Sequence, residues 1–303
     1  MSGPGRSRHV NAGYALVAGS YLIMGSIGAL VAYATAPESF LVLARMVTAG
    51  IVLGVIFARR RPLAGLRAPG LPWRLIVMAL LDTAALMAFF LAIRYTDVAV
   101  AMFLLFMAPV WVAAIAPRVL HTRTEPIVYG ALAIAIGGLA AILVPALTGT
   151  AVKVSGIGLL LGLAAGLIYA VFQILMKDIT RRLNTISIVL TETILDSLLI
   201  LPLALWQTVG VGYQVTSTDL IVGLILGTIC TALAYTMWTE GVSRVRVQHS
   251  SILGYLEPVS APFYALLLLG TKPAGWTLVG GALIIVAGAL VIIFGEAEEI
   301  VPA

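Results

Sequence analysis

The stretch VQHSSILGYLEPVSAPFYALLLL, residues 247–269, decides the fold class of this chain. It holds 23 residues, and Glu257 is its one acidic residue. An α-helix needs about 20 mostly apolar residues to cross a bilayer. The rest of the chain is similar: 61% of its 303 residues are apolar and 10% are charged, and its mean hydropathy is +1.09. Soluble domains are about half apolar and roughly a quarter charged, so a water-soluble fold is excluded.

Comparable apolar runs recur along the chain and predict ten membrane-spanning helices. The runs lie near 12–34, 39–58, 74–94, 97–117, 126–146, 156–177, 185–206, 219–239, 247–269 and 275–295. The first run is longer than the apolar core of a signal peptide, which is roughly 7 to 15 residues, so we expect it to be retained. The short tails and connections leave no room for an enzyme domain outside the membrane.

The Lys and Arg residues predict the orientation, because cytosolic loops are enriched in them. With the amino terminus inside, 14 of the 18 basic residues fall in inward segments, and only Arg94, Lys153 and Lys272 fall in outward ones. The inward set is Arg6, Arg8, Arg59, Arg60, Arg61, Arg67, Arg74, Arg118, Arg123, Lys177, Arg181, Arg182, Arg244 and Arg246. We therefore expect both termini in the cytosol and no nucleic-acid partner, despite the net charge of +5.

The chain contains an internal repeat. A shift of 149 residues superposes LFMAPV, residues 105–110, on GYLEPV, residues 254–259, and both lie in the middle of a predicted span. Five helices per repeat is an odd number, so the second copy enters the membrane from the opposite face. Inverted repeats that meet at a midplane site are typical of secondary transporters. The predicted fold is all-α and integral to the membrane, with ten helices in two inverted five-helix repeats.

This pattern resembles the EamA-type transporters of the drug/metabolite transporter superfamily, and among them the bacterial aromatic amino acid exporters of the YddG type. The shared features are ten helices, a mid-helix Pro in the fourth helix of each repeat, and a Gly-rich fifth helix. The resemblance implies export of small metabolites such as amino acids. The expected division is a cytosolic tail at 1–11, repeats at 12–150 and 151–296, and a second cytosolic tail at 297–303.

Glu257 is the leading candidate for chemistry. It lies about ten residues into its span, near the bilayer centre, where an acidic side chain costs at least ~2.5 kcal/mol on insertion scales. Pro258 follows it, and its missing N–H is expected to free the carbonyl of Gly254 for a ligand or water. Asp82 occupies a similar depth in the third span. We expect Glu257, with Asp82, to bind a substrate ammonium or carry a coupling proton; the alternative is a carboxyl that ties two helices together.

Three further charges lie inside spans and are assigned structural roles. Glu192 and Asp196 lie one helical turn apart in the seventh span, and Arg45 lies in the second. We expect the two acids to be protonated or to pair with Arg45. Arg45 is similar to an Arg common in the second helix of EamA-type transporters, which implies a structural role for it.

Aromatic and polar side chains at helical spacing complete the expected substrate site. Aromatic faces suit flat or cationic solutes, through stacking and cation–π contacts of about 0.5 to 2 kcal/mol. The candidates are Met102, Phe106, Tyr169, Gln173, Tyr235, Trp238 and Tyr255. For any one of them except Tyr255, ordinary packing is the alternative. Helix breaks and gating are assigned to Pro109, Pro258, Gly254 and Gly25.

Several motifs are missing from the sequence. It contains no G-x-x-x-x-G-K-[ST] loop for an ATPase motor and no G-x-S-x-G or H-E-x-x-H hydrolase motif,. His9, His121 and His249 lack metal-ligand spacing, so we expect no metal, no cofactor and no enzyme activity. The prediction is a secondary-active transporter, monomer or homodimer, in the inner (plasma) membrane, which works by alternating access around a midplane cavity. The alternative is a multidrug or organic-cation exporter of the same fold.

Overall fold

The computed structural model describes residues 4–60, 70–148 and 154–295. Ten helices in these ranges are long and apolar enough to cross a membrane, which confirms the predicted fold class. Their bounds, numbered as spans, are α1 Pro4–Met24 and Ser26–Tyr33, α2 Glu38–Phe57, α3 Leu71–Tyr95, α4 Val98–Leu105 and Ala108–Val119, α5 Pro126–Thr148, α6 Gly156–Thr180, α7 Thr185–Leu205, α8 Ser217–Ile225 and Ala234–Arg244, α9 Val247–Leu253 and Leu256–Leu269, and α10 Gly275–Phe294. The first helix begins at Pro4, eight residues before the expected start at residue 12. Arg61, Arg67, Lys153 and the tail at 297–303 lie outside the described residues.

The fourth helix of each repeat is broken at nearly the same repeat position. Span α4 breaks after Leu105 and α9 breaks after Leu253, which differ by one residue under the 149-residue shift. The second half of each begins within two residues of a proline, Pro109 or Pro258. Proline lacks an N–H and clashes with the preceding turn, so it is tolerated in the first turn of a helix but interrupts a continuous one. Both spans are thus interrupted close to a proline, and the role of these breaks in gating stays a prediction.

Span α1 is also broken, at Gly25, where it touches the second half of α9. A Cβ atom at Gly25 would lie 1.9 Å from Oγ of Ser260 and 2.7 Å from the carbonyl oxygen of Glu257. No side chain fits in this space. Glycine thus allows the broken α1 to pass directly over the α9 break.

The helix pairs with the closest packing follow the repeat symmetry. Span α3 packs on α6, and its counterpart in the other repeat, α8 on α1, packs in the same way. Exchanging the two repeats turns the pair α2–α7 into itself, and the same holds for α5–α10. The α5–α10 crossing is close because Gly138 and Gly280 face each other, and a Cβ atom on Gly138 would lie 2.7 Å from the Gly280 carbonyl. These glycines therefore serve an interface within the chain.

The structure has π-helical segments in two places. One, Leu226–Leu233, lies between the two halves of α8, and the other, Trp206–Gly210, directly continues α7. The π segment of α8 packs on α2, where a Cβ atom at Gly227 would lie 2.7 Å from the carbonyl oxygen of Arg45. Such segments often occur at functional sites. The sequence carried no sign of them, because hydropathy does not distinguish π from α winding.

Candidate functional site

The breaks of α4 and α9 meet at an aromatic pair. The rings of Phe106 and Tyr255 lie 6.3 Å apart at 31°, and the two residues are equivalent under the 149-residue shift. Residues that are equivalent by pseudo-twofold symmetry touch each other only near the axis. This contact therefore marks the centre of the two repeats. Tyr255 is fully buried, and its hydroxyl has no hydrogen-bond partner among the described residues.

Glu257 lies half-buried in the first turn of the second half of α9. It interacts electrostatically with Arg45 of α2, and also with Tyr21 of α1 and Tyr169 of α6. Three other spans thus contribute polar groups around this midspan carboxyl of α9. The expectation that Pro258 leaves the Gly254 carbonyl free is wrong, because that carbonyl accepts the backbone N–H of Glu257 at 3.1 Å. The tight turn at the break supplies this donor.

Tyr21 connects α1 to two other spans and was not among the predicted site residues. Its hydroxyl accepts a hydrogen bond from Nε1 of Trp238 of α8 at 2.9 Å, and Tyr21 interacts electrostatically with Tyr169 of α6. Tyr21 is buried. Its position seven residues after Tyr14, which is also buried, places both on one face of α1 and was the available signal.

A stack of four aromatic rings runs from Tyr169 to Tyr235. The ring centroids are 5.7 Å apart for Tyr169 and Phe172, 6.1 Å for Phe172 and Trp238, and 5.3 Å for Trp238 and Tyr235, and each pair is nearly parallel. The hydroxyl of Tyr235 then donates to Oε2 of Glu192 at 2.7 Å. The stack therefore connects the surroundings of Glu257 to the acidic residues of α7.

Asp82 of α3 lies with these acidic residues of α7. One carboxylate oxygen from each of Asp82, Glu192 and Asp196 lies within 4.8 Å of the others. Arg45 interacts electrostatically with Asp82 and Asp196 as well as with Glu257. The structure thus places all the predicted midspan charges in two neighbouring groups that share Arg45.

The remaining predicted residues are less closely tied to this centre. Gln173 is buried, and its Oε1 has no hydrogen-bond partner in the described part of the chain. Met102 is half-buried, while Pro109 and Gly254 are buried at the two breaks. Their roles in binding and gating stay predictions. Two open clefts, of about 630 and 500 Å³, lie elsewhere: one is lined by the second half of α4 and by α5, the other by α3, α4 and α6.

A buried polar cluster that the sequence did not reveal lies at the start of α9. Tyr14 and Nδ1 of His249 are hydrogen-bonded at 2.6 Å, and Oε1 of Glu125 lies 3.3 Å from Nε2 of His249 and 3.1 Å from Arg246. These contacts join α1, α9 and the α4–α5 connection. At the same end of the molecule, Nζ of Lys177 donates to three carbonyls at the end of α8 and the α8–α9 connection, those of Val242, Ser243 and Val245.

Comparison with known proteins agrees with the repeat and the fold. The model of the EamA-like transporter family matches residues 11–144 and again residues 156–294. An uncharacterized transporter of Archaeoglobus fulgidus is 30% identical over 227 residues, which are 75% of this chain and 78% of that protein. An uncharacterized transporter of Haemophilus influenzae is 30% identical over 118 residues, 39% of this chain and 69% of that protein.

A protein of known crystal structure has the same fold, with a TM-score of 0.77 at 21% identity; the match covers 96% of this chain and 99% of that one. The two family matches together span most of the chain. With its ten membrane-spanning helices, the chain belongs to the EamA-like transporter family and is a multi-pass membrane transporter.

Proposed function

We propose that this transporter exports small metabolites that carry an amino group, with amino acids, including aromatic ones, as the first substrate class. The main support for this proposal is the position of Glu257. Its carboxyl is half-buried at the α9 break and interacts electrostatically with Tyr21 and Tyr169. A carboxylate at midspan is costly and binds an ammonium group through charge-assisted hydrogen bonds. Export and a plasma-membrane location rest on the resemblance to YddG-type exporters and on the distribution of basic residues.

The mechanism follows from the broken helices. Spans α1, α4 and α9 are interrupted close to Glu257 and Phe106. At each break one half of the helix can tilt against the other without disrupting internal backbone hydrogen bonds. We propose that rocking of the two repeats about the Phe106–Tyr255 contact exposes Glu257 to each side in turn. Glu257 binds the substrate ammonium, or a proton that exchanges with it, and the aromatic stack receives the substrate side chain.

A second candidate is export of organic cations. The stack of Tyr169, Phe172, Trp238 and Tyr235 offers aromatic groups next to carboxylates, and cation–π contacts favour quaternary and flat cations. Such cations need the same charge compensation from Glu257. The two candidates therefore share a site and differ in the ligand.

Competition in inverted membrane vesicles distinguishes them. Uptake of labelled phenylalanine is measured with ethidium or unlabelled amino acids as competitors. The proposal expects amino acids to compete and ethidium to have little effect. Uptake of ethidium that amino acids do not inhibit favours the organic-cation exporter, and the absence of saturable uptake of either contradicts both.

A further inference from the structure

The three acids of α3 and α7 have the geometry of a cation site. Their carboxylate oxygens lie within 4.8 Å of one another, so some point lies within about 2.8 Å of all three, near the roughly 2.3–2.6 Å at which Ca²⁺ takes oxygen ligands. Glu192 and Asp196 are one turn apart on α7, which packs against α3. The ligands come from two helices, and that is why no sequence motif indicates the site.

The carboxylates also have oxygens without a donor. Glu192 is 1% exposed and Asp196 is 5% exposed, and neither Oε1 of Glu192 nor Oδ1 of Asp196 has a hydrogen-bond partner within the described ranges. Tyr235 donates only to Oε2 of Glu192. Buried polar atoms are nearly always paired with protein, water or an ion. These two oxygens therefore point to a ligand with positive charge.

The charge balance leads to the same conclusion. Within residues 4–60, 70–148 and 154–295, Arg45 is the basic side chain that interacts electrostatically with this group, and it also interacts with Glu257 of α9. Spans α6 and α8 present Tyr169 and Tyr235. Among described residues, no carboxylate forms a direct ion pair with Arg45. When all three carboxyls are ionised, three carboxylates and one guanidinium leave two negative charges, which a buried site tolerates only when a bound cation or protons compensate them.

We propose that Asp82, Glu192 and Asp196 bind a monovalent metal cation, Na⁺, at a site separate from Glu257. The donor set argues against a divalent ion, because Ca²⁺ takes six to eight oxygens and Mg²⁺ gives up its water reluctantly, while Arg45 repels a double charge more strongly. The site connects to the transport centre through Tyr235 and Trp238. The inference that Na⁺ drives transport rests on the proposed function. The inference that Na⁺ binds at this site is independent of it.

The test measures Na⁺ binding to the purified full-length protein without any transport substrate. NaCl replaces choline chloride at constant ionic strength, so that screening is unchanged. Thermal unfolding and tryptophan fluorescence are followed, because Trp238 stacks on the Tyr235 that is bound to Glu192. We expect a saturable rise in the unfolding temperature with Na⁺ and a matching change in fluorescence. A response to Na⁺ no greater than to choline overturns the proposal, including the case in which protons alone fill the site.

Variants of the three acids test whether Na⁺ binds at this cluster. Asp196→Asn is expected to raise the Na⁺ concentration for half-maximal response roughly tenfold or more, the usual cost of disturbing a metal site. Glu192→Gln removes a charge but keeps an acceptor for Tyr235, so it replaces Asp196→Asn if that protein does not fold. Glu240→Gln, an acid of α8 paired with Arg244, is the control and keeps the wild-type response. An unchanged response in every cluster variant places the ion elsewhere and contradicts the proposal.

Discussion

At the scale of single residues, the site depends on polar side chains that meet from different helices. Tyr21 illustrates this, since its hydroxyl on α1 accepts the Nε1–H of Trp238 on α8. The midspan positions of Glu257 and Asp82 were predictable from the sequence, because a carboxylate inside an apolar run stands out by its cost. Tyr21 is marked in the sequence only by its seven-residue spacing from Tyr14, which indicates a shared helix face but names no partner. The pairing of Asp82 with α7 depends on helix packing, which one sequence does not specify.

We expect Tyr21→Phe to destabilise the protein and to slow transport. It leaves Nε1 of Trp238 buried without its acceptor, at a cost of about 1–3 kcal/mol, and removes a polar hydroxyl near Glu257. Thermal unfolding and substrate uptake are the measurements. Tyr33→Phe is the control, since Tyr33 is on the same span but exposed. Equal stability and uptake for Tyr21→Phe and wild type would refute this role.

At the scale of helices, ten spans were predictable because each requires a long apolar run, and the breaks in α4 and α9 were predictable because proline interrupts a helix. The π segments and the α1–α9 crossing were not predictable from the sequence. The crossing depends on the space around Gly25, and a glycine in an apolar span indicates close packing without naming its partner.

Gly25→Ala tests the crossing of α1 and α9. The added methyl group collides with Ser260 and with the Glu257 carbonyl, and overpacking of this kind costs roughly 1–3 kcal/mol. We expect a lower unfolding temperature and a lower folded yield. Gly28→Ala is the matched control one turn along the helix, where a Cβ atom meets nothing within 4 Å. Equal behaviour of the two variants would show that the helices do not approach closely at Gly25.

At the scale of the whole molecule, the inverted repeat explains both the paired helix contacts and the aromatic contact near the axis. Ten spans put both termini on one side of the membrane, and the basic residues predict that this side is the cytosol. In a Cys230→Ser background, we expect an impermeant thiol reagent outside intact cells to label Thr271→Cys but not His121→Cys. Labelling of His121→Cys alone would reverse the orientation.

The cluster of Tyr14, Glu125, Arg246 and His249 ties together α1, the α4–α5 connection and the start of α9, and we propose that it keeps this end of the molecule closed. Glu125→Gln weakens the contacts with Arg246 and His249, so we expect this end to open more often. In the same Cys230→Ser background, a cysteine at the buried Ser250 should then react roughly tenfold faster with a thiol reagent, equivalent to about 1.4 kcal/mol. The exposed Glu38→Gln serves as the control. An unchanged rate in Glu125→Gln would show that the cluster does not control opening.

The most direct test of the central claim is substrate counterflow in proteoliposomes without ATP, with wild type, Glu257→Gln and Glu240→Gln compared at equal reconstituted amounts. We expect counterflow of an amino-group substrate by wild type and by Glu240→Gln. We expect a loss of roughly 10- to 100-fold in Glu257→Gln, because a hydrogen bond to a charged group contributes about 1.5–3 kcal/mol. Wild-type counterflow in Glu257→Gln would contradict the claim that this carboxyl carries transport.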